Sequence, residues 1–600
     1  MVDSSPPDAA SDPGDPWAPF VAAVVRGLAP ALQRVAPTGS WTALEDLLEL
    51  EGGPEGEIAF PTFRAAAAAK LPPPELAQRL AAAIRPDPAL RSVSAKGGYV
   101  NFRVDPIQLV DRTVSGILAR GPRYGHAAPV PRATCVEHTS ANPTGPFHIG
   151  RVRNAIIGDT LARLLRAAGR SVTTQYYVDD MGRQSAMITW IWTKPRDAWP
   201  ESIRTSVDGE EAPGEKVDRH RGRPYPAVSA YLKERPEAAA EVAELVRRLE
   251  SGTSPPEHHA LAQSILDGML ASLARLGIRF DEFVWESTFV KDGSVDAVLK
   301  RLRAAPHAVQ EENGAWAIDA STYKLPKDSA RVIVQRGDGT SLYVTRDVAY
   351  HLAKFGRFPD VIDVLGQDHQ LHARTLAALL AEIGETRRPE FLIYQDITVP
   401  EGGRMSTRGG SAVWLDQLLE EALERARKEV HDRREDLSEP DVQAISEAVA
   451  TGAIRYHIAR VAPEKPVVFR WEDALSFEGR SGPFVQYSYA RASSVLRKGE
   501  VDSGPFPYEA SRLQGIEELA LVRVLASLPR VVGQAARTSH VHSMAGYAHD
   551  VADQFNRFYH AVPVLHSGDD RPSRLALVAA ARQTLGNALD LLGITRLETM

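Results

Sequence analysis

The sequence predicts an α/β multidomain protein: a parallel-sheet domain interrupted by an insertion, a small α/β domain before it, and an all-α helical bundle after it. Three observations predict this. The chain has 600 residues, more than one hydrophobic core usually serves. From Arg132 its pattern runs strand, helix, strand, and from about Pro440 it is almost wholly helical.

Composition narrows the function classes. There are 70 basic and 77 acidic residues, a net charge of −7, which excludes a globally basic nucleic-acid binder but allows local basic faces. Cys135 is the only cysteine, so there is no internal disulfide framework and no cysteine-based zinc site. A reducing, cytoplasmic setting is expected. No metal site is assigned. Residues 1–17 are rich in Pro, Asp and Ser and read as a disordered tail rather than a signal peptide. No apolar run approaches the roughly 18 residues of a membrane span, so no membrane partner is expected, and a monomer is.

Residues 18–112 form the small α/β domain. Helical patterns over Phe20–Val35 and Leu76–Ile84 flank strand-like pieces at Glu57–Phe60 and Gly98–Arg103, with an alanine run at Ala65–Ala69. After Gly97-Gly98, the residues Tyr99, Asn101 and Phe102 are either presented to a nucleic-acid base or form a core strand after a glycine turn.

Residues 113–195 begin the sheet domain. The short strand Thr134–Val136 runs into the loop Asn142–Arg151, then into a helical pattern that starts near Phe147. The free N–H groups and dipole of a helix start attract phosphate, and Gly150 would let a flat base approach the backbone. His148 and Arg151, three apart, share a helical face in this reading. Alone, these residues equally describe an ordinary strand-to-helix turn. The helix to Ala168, the stop at Gly169 and the strand Ser171–Val178 complete a βαβ unit. This implies a Rossmann-type parallel sheet with ligands at the carboxyl ends of its strands. Asp179–Gln184 lies at such an end.

Residues 196–278 read as a less regular insertion, with helical pieces at Ala238–Leu249 and Ala262–Leu276. The sheet domain resumes over 279–400. Arg331–Gln335 and Ser341–Thr345 read as two strands joined at Asp338-Gly339, with Arg346 and Asp347 opening a helix. Tyr343 and Asp347 there suit a bound cation, or Asp347 simply complements the helix dipole. The strand Val361–Leu365 feeds Gly366, Asp368, His369 and His372, a weak metal pattern. The strand Phe391–Tyr394 precedes the segment 401–439. In it, four glycines surround Arg404 and Arg408, a loop suited to closing over polyphosphate or one that is merely mobile at the surface. The helix Leu415–Val430 follows. In the helical 440–600, Gln486–Arg491 and Phe555–His560 interleave aromatic and cationic residues, which fits stacked bases or bundle packing.

Phe147-His148-Ile149-Gly150-Arg151 resembles the HIGH signature of class I aminoacyl-tRNA synthetases, and Arg404-Met405-Ser406-Thr407-Arg408 resembles their KMSKS loop. Together with Val136–Pro143, Asp179–Gln184, Leu342–Tyr350, Phe477–Pro483 and Leu591–Ile594, the chain resembles the arginyl-tRNA synthetase family from about residue 20 onward. The resemblance implies activation of L-arginine by ATP with Mg2+ and transfer to the 3′-terminal ribose of tRNA(Arg). It implies that Glu137, Ser140, Asn142, Tyr343, Asp347 and His369 bind arginine, and that His148, Gly150, Gly366, Asp368 and Met405 bind ATP. His148, Arg151, Arg404 and Ser406 would carry the chemistry. Tyr99 and Asn101, with Tyr487, Arg491, Phe555 and Tyr559, would meet tRNA. Three positions depart from the pattern: Arg151 replaces the second His, and Arg404 and Thr407 replace the two lysines. Pro143–Pro146 offers no lysine in exchange. A binding protein without efficient activation, or a paralogue supplying arginine or an analogue to another pathway, therefore stays open beside the ligase.

Overall fold

The structure, a computed structural model, describes residues 14–36, 41, 43–50, 55–85, 87–207, 215–398, 414–501 and 506–600. The N-terminal domain packs the helices Ala18–Val35 and Pro73–Ala83 against an antiparallel sheet of β1 (Ile58–Pro61), β2 (Leu90–Lys96) and β3 (Tyr99–Val104), in the order β1-β3-β2. The β2–β3 hairpin turns at Gly97, whose φ of +56° suits glycine. The base-binding reading of this hairpin is corrected: Asn101 and Phe102 are buried, so neither side chain meets solvent. Tyr99 is half-buried, its ring edge-on to Phe63 at 5.5 Å. The tail is also shorter than expected, because Trp17 is buried and Asp15 pairs with Arg530 of the last domain at 2.8 Å.

The central sheet contains β4 (Ala133–Glu137), β5 (Ser171–Val178), β6 (Glu282–Trp285), β10 (Asp360–Gly366) and β11 (Glu390–Tyr394). Its order is β11-β10-β4-β5-β6, and every pairing is parallel. From β4 the chain winds outward one way through β5 and β6, and later the other way through β10 and β11. The crevice at the carboxyl ends of β4 and β10 is thus the topological switch point, where open α/β sheets bind ligands. The helix Ile149–Ala167 ends at Gly169, which has φ of +86°.

Three antiparallel strands, β7 (Ala308–Gln310), β8 (Trp316–Asp319) and β9 (Arg331–Gln335), lie between β6 and β10. The expected strand Ser341–Thr345 does not form. A lone bridge from Gln335 to Ser341 is followed directly by the helix Tyr343–Arg357. The β-branched residues there obey a helical period, with Val344, Val348 and Ala349 buried on one face, and the Thr345 hydroxyl donates to the Val334 carbonyl at 2.7 Å.

The insertion is more regular than its sequence suggests. It is built of helices, among them Val217–Gly222, Tyr225–Glu234, Pro236–Glu250 and Pro256–Arg275, with its own core of Trp190, Trp199, Val228, Leu232, Val242 and Leu249. Pro226, Pro236 and Pro256 stand in first turns, where the missing N–H has no intrahelical partner to lose; they start helices rather than break them.

The C-terminal domain is a helical bundle including Glu439–Ala459, Gly482–Lys498, His542–Ala561 and Arg571–Leu591. Phe555 is fully buried in its core, which corrects its assignment to a nucleic-acid surface. Taken together, Ile516–Thr538 is long and apolar enough to cross a membrane, but the chain breaks there into Ile516–Ala526 and Leu528–Thr538. Leu521, Val522, Leu525 and Val532 are buried in the bundle. Two buried arginines join this domain to the sheet. Arg455 pairs with Asp159, and Arg153 donates to the carbonyls of Gln395, Ala462 and Lys465.

Candidate active site

A cavity of about 910 Å³ opens at the switch point. Its floor is a set of buried charges on three elements. Glu137 and Asp363 are register partners on β4 and β10, so their side chains lie side by side. The helix Tyr343–Arg357 presents Asp347, His351 and Lys354, spaced four and three apart and therefore on one face. The Lys354 ammonium donates to Glu137 and, at 2.8 Å, to Asp363. His351 Nε2 bonds Asp363 at 2.7 Å, and its Nδ1 lies 3.0 Å from Asp347. His372 Nε2 bonds Asp347 at 2.6 Å, its ring 5.0 Å from that of Tyr343.

Burial alone would neutralise each of these groups, and their mutual fields decide otherwise. For His351, burial and Lys354 oppose the proton, but Asp363 and Asp347 prevail and push its pKa up to about 10. Burial also opposes the charge of Asp347, yet His351 and His372 hold its carboxyl well below the usual range. Lys354 stays charged between its two carboxylates against the cost of burial. Glu137 is shifted upward, first by burial and then by Asp363 and Asp347, with Lys354 opposing. Three carboxylates thus share two cations, and Glu137, the one whose pKa moves up, is the group that a further bound cation would favour in its ionised form.

Glu137, Ser140, Asn142, Tyr343, Asp347 and His369 all line this cavity, as do His148, Arg151 and Gly366. Ser140 donates to Glu137 at 2.9 Å and accepts from the Tyr177 N–H at 3.1 Å. It and Thr139 hold left-handed backbone, with φ of 38° and 76°, a strained turn of the kind that clusters at functional sites. Asn142 donates to Asp179 at 3.1 Å. Tyr343 is 60 % exposed and so keeps a free aromatic face.

The phosphate-side geometry differs from the sequence reading. His148 is the N-cap of the helix Ile149–Ala167, with extended backbone, and does not share a helical face with Arg151. Its Nδ1 accepts the Gly150 N–H at 3.0 Å, which assigns the proton to Nε2. Burial and Arg151 lower its pKa and favour this neutral imidazole. A methyl group at Gly150 would meet that ring at 2.9 Å, so the glycine clears space for the cap, and Gly150 lies outside the cavity lining. Asp368 is also outside the lining and sits 3.7 Å from Arg151. His372 turns to Asp347 instead of converging with Asp368 and His369. Among the described residues, Glu137, His351 and Asp363 could share a metal ion, but the Lys354 ammonium is bonded into that cluster. Arg404, Met405 and Ser406, with Thr407 and Arg408, lie outside the described residues. Trp414, the next described residue, stands at the cavity with its ring 5.9 Å from that of His148.

Sequence reasoning missed His351, Lys354, Asp363 and the insertion's Arg219, Arg223 and Tyr225, which also line or floor the cavity. An acid inside the apolar strand Val361–Leu365 was a signal for Asp363. The spacing 347, 351, 354 was a signal for its partners.

A second groove, of about 770 Å³, lies between the helix Leu415–Arg433 and the bundle. Arg425 stands over Trp471 at 5.3 Å, Arg433 over Phe477 at 4.2 Å, and Arg491 over Tyr487 at 4.7 Å and Tyr559 at 5.3 Å. Such cation-faced rings suit unpaired bases on a charged backbone.

Three family models cover most of the chain: the class I (R) tRNA synthetase catalytic domain over residues 113–471, the DALR anticodon-binding domain over 485–600, and the arginyl-tRNA synthetase N-terminal domain over 38–104. The chain belongs to the arginyl-tRNA synthetase family. It is 42 % identical to the arginine–tRNA ligase of Methanothermobacter thermautotrophicus over 90 % of this chain and 92 % of that one. It is 37 % identical to that of Haloquadratum walsbyi over 97 % and 100 %. The solved arginyl-tRNA synthetase of Thermus thermophilus shares 29 % identity, with a TM-score of 0.78 over 96 % of this chain and 100 % of that one. Within the family frame, the parallel sheet is the catalytic domain and the bundle the anticodon-binding domain.

Proposed function

We propose that the chain is an arginine–tRNA ligase, working as a cytoplasmic monomer. The observation that carries this is the polarity of the switch-point cavity: a floor that sets the carboxyl groups of Glu137, Asp347 and Asp363 against His351 and Lys354, and a rim bearing His148 and Arg151 at a helix start. The floor suits a guanidinium. Asp347 lines the cavity with Tyr343; its two oxygens already meet His351 at 3.0 Å and His372 at 2.6 Å, and a planar fork reaching their remaining lone pairs fits better than a point-charge ammonium. Both oxygens of Glu137 already accept bonds from Lys354 and Ser140, so Glu137 acts chiefly through its field. Ser140, Asn142 and His369 face the amino and carboxylate end. The rim suits a nucleotide, and Gly366 at the end of β10 lets the Asp368 carboxylate lie close to it, since a methyl group there would meet Asp368 at 2.4 Å.

The reaction runs in two steps. The arginine carboxylate attacks the α-phosphorus of ATP, pyrophosphate leaves, and arginyl-adenylate forms. A ribose hydroxyl at the 3′ end of tRNA then attacks the arginyl carbonyl and AMP departs. The Nε2–H of neutral His148 and the Arg151 guanidinium stabilise charge that grows on phosphate oxygens. Mg2+ would accompany ATP as the counter-ion of its triphosphate and neutralise charge there. Tyr487 and Arg491 of the second groove, with Tyr559 on the other side of the Arg491 guanidinium, are proposed to hold tRNA bases, with Tyr99 a further contact on the N-terminal domain.

Arginine-dependent exchange of pyrophosphate into ATP, measured with and without tRNA, tests the proposal. Exchange that requires arginine supports it, and none in the presence of tRNA overturns it. Exchange with an arginine analogue but not arginine would instead mark a repurposed paralogue.

A further inference from the structure

The nucleotide rim has a second source of positive charge, in the insertion. The helix Val217–Gly222 is seated on the turn that precedes His148: a methyl group on Gly222 would lie 2.4 Å from the Gly145 Cα and 3.1 Å from Pro146. The glycine at 222 is what lets the two backbones meet this closely, since a methyl group at Gly145 would keep 3.4 Å from the Gly222 Cα. The contact brings Arg219 and Arg223, one helical turn apart, to the cavity that His148 and Arg151 also line. Among the described residues, the single carboxylate of Glu215 faces both, bonded to Arg223 and 4.0 Å from Arg219. Two guanidiniums against one carboxylate leave one positive charge at the mouth. Arg219 is the exposed member, its side chain 66 % exposed, whereas the Glu215 side chain is buried and holds Arg223.

The helix is fixed from below as well. Buried Asp218 packs against Gly268, where a methyl group would lie 2.6 Å from it. Lys216 joins Asp218 at 3.3 Å, Ser272, and, at 2.7 Å, Asp416 on the first turn of the helix Leu415–Arg433. The insertion thereby straps the two sides of the cavity mouth together and holds its arginines over it.

We propose that Arg219 and Arg223 bind the oligophosphate of ATP, Arg219 as the direct ligand and Arg223, set by Glu215, as the second cation. This deepens the ligase reading and rests on it. The chemistry is that of a planar donor fork matched to phosphate oxygens, on a cavity that His148 and Arg151 also line. The insertion then contributes to substrate binding as well as to architecture.

Titration of the full chain with ATP and, separately, with adenosine and with tRNA, at two salt concentrations, tests this. Arg219→Ala should weaken ATP about tenfold, leave adenosine and arginine binding unchanged, and reduce the salt dependence of ATP binding. Arg219→Lys should keep more of the ATP affinity than Arg219→Ala. Arg223→Lys keeps a partner for buried Glu215 and should give a smaller loss. Equal ATP affinity in Arg219→Ala and the parent overturns the assignment. So does an equal loss of ATP and adenosine, which would mark a disturbed cavity, or a loss confined to tRNA, which would place the arginines on the acceptor end instead. If the parent chain binds neither ATP nor adenosine, the ligase reading falls together with this one.

Discussion

The cavity floor and the groove of the helical domain both collect charge, in opposite ways. In the floor, Glu137, His351, Lys354 and Asp363 are buried and Asp347 half-buried, bonded to one another across two strands and a helix. In the groove, Arg425 and Arg433 keep side-chain exposures of 44 % and 55 % and lie over aromatic faces. A buried charge must have its partner in place, so removing one member costs heavily and geometry is held rigidly. An exposed cation over a ring is screened by water and salt and can be exchanged for another. On the proposed reading, the floor discriminates one small ligand and the groove holds a large one by many weak contacts.

Four experiments can break or sharpen this contrast. Lys354→Met strands two buried carboxylates and should destabilise the sheet domain by about 3–5 kcal/mol, seen as a lower denaturant midpoint; a loss below about 1 kcal/mol would show that the cluster is hydrated and not rigid. Asp347→Asn should lower kcat/KM for arginine at least about 100-fold with tRNA binding nearly unchanged, and unaltered arginine dependence would remove Asp347 from the pocket. Arg491→Ala should raise the KM for tRNA about tenfold, reduce its salt dependence, and leave arginine and ATP untouched. An equal effect on all three substrates would erase the distinction between the regions. The smallest effect concerns pH. Folded His351 binds its proton more tightly than the unfolded side chain, so its stabilising contribution is complete below about 6.5 and is lost as pH rises through about 10. His351→Gln should flatten the fall in stability across that window.

Much of the architecture was legible because it is periodic. Thr134–Val136, Ser171–Val178 and Val361–Leu365 read as strands, and the helix that Gly169 ends read as a helix, since each signal is carried by neighbouring residues. Where propensity and period disagreed, propensity misled: Leu342–Thr345 are strand formers, yet the face they bury is helical. Prolines that open the insertion's helices read as loop markers. Exposure was the least legible property. Asn101 and Phe555 carry the chemistry of base contacts and are buried, which depends on what packs over them.

The sequence by itself determined the layered plan, the family and the loop that opens the nucleotide rim. The plan and the loop follow from local spacing of apolar residues, glycines and charges, and the family from the resemblance of segments such as Phe147–Arg151 and Arg404–Arg408 to its signatures. Only the tertiary structure decided that Lys354 sits between Glu137 and Asp363, that His148 caps a helix instead of sharing its face with Arg151, and that Arg219 reaches the cavity. The physical reason is distance along the chain: Glu137 and Lys354 are 217 residues apart, and their energy depends on burial and mutual field, which exist only once the sheet has closed around them.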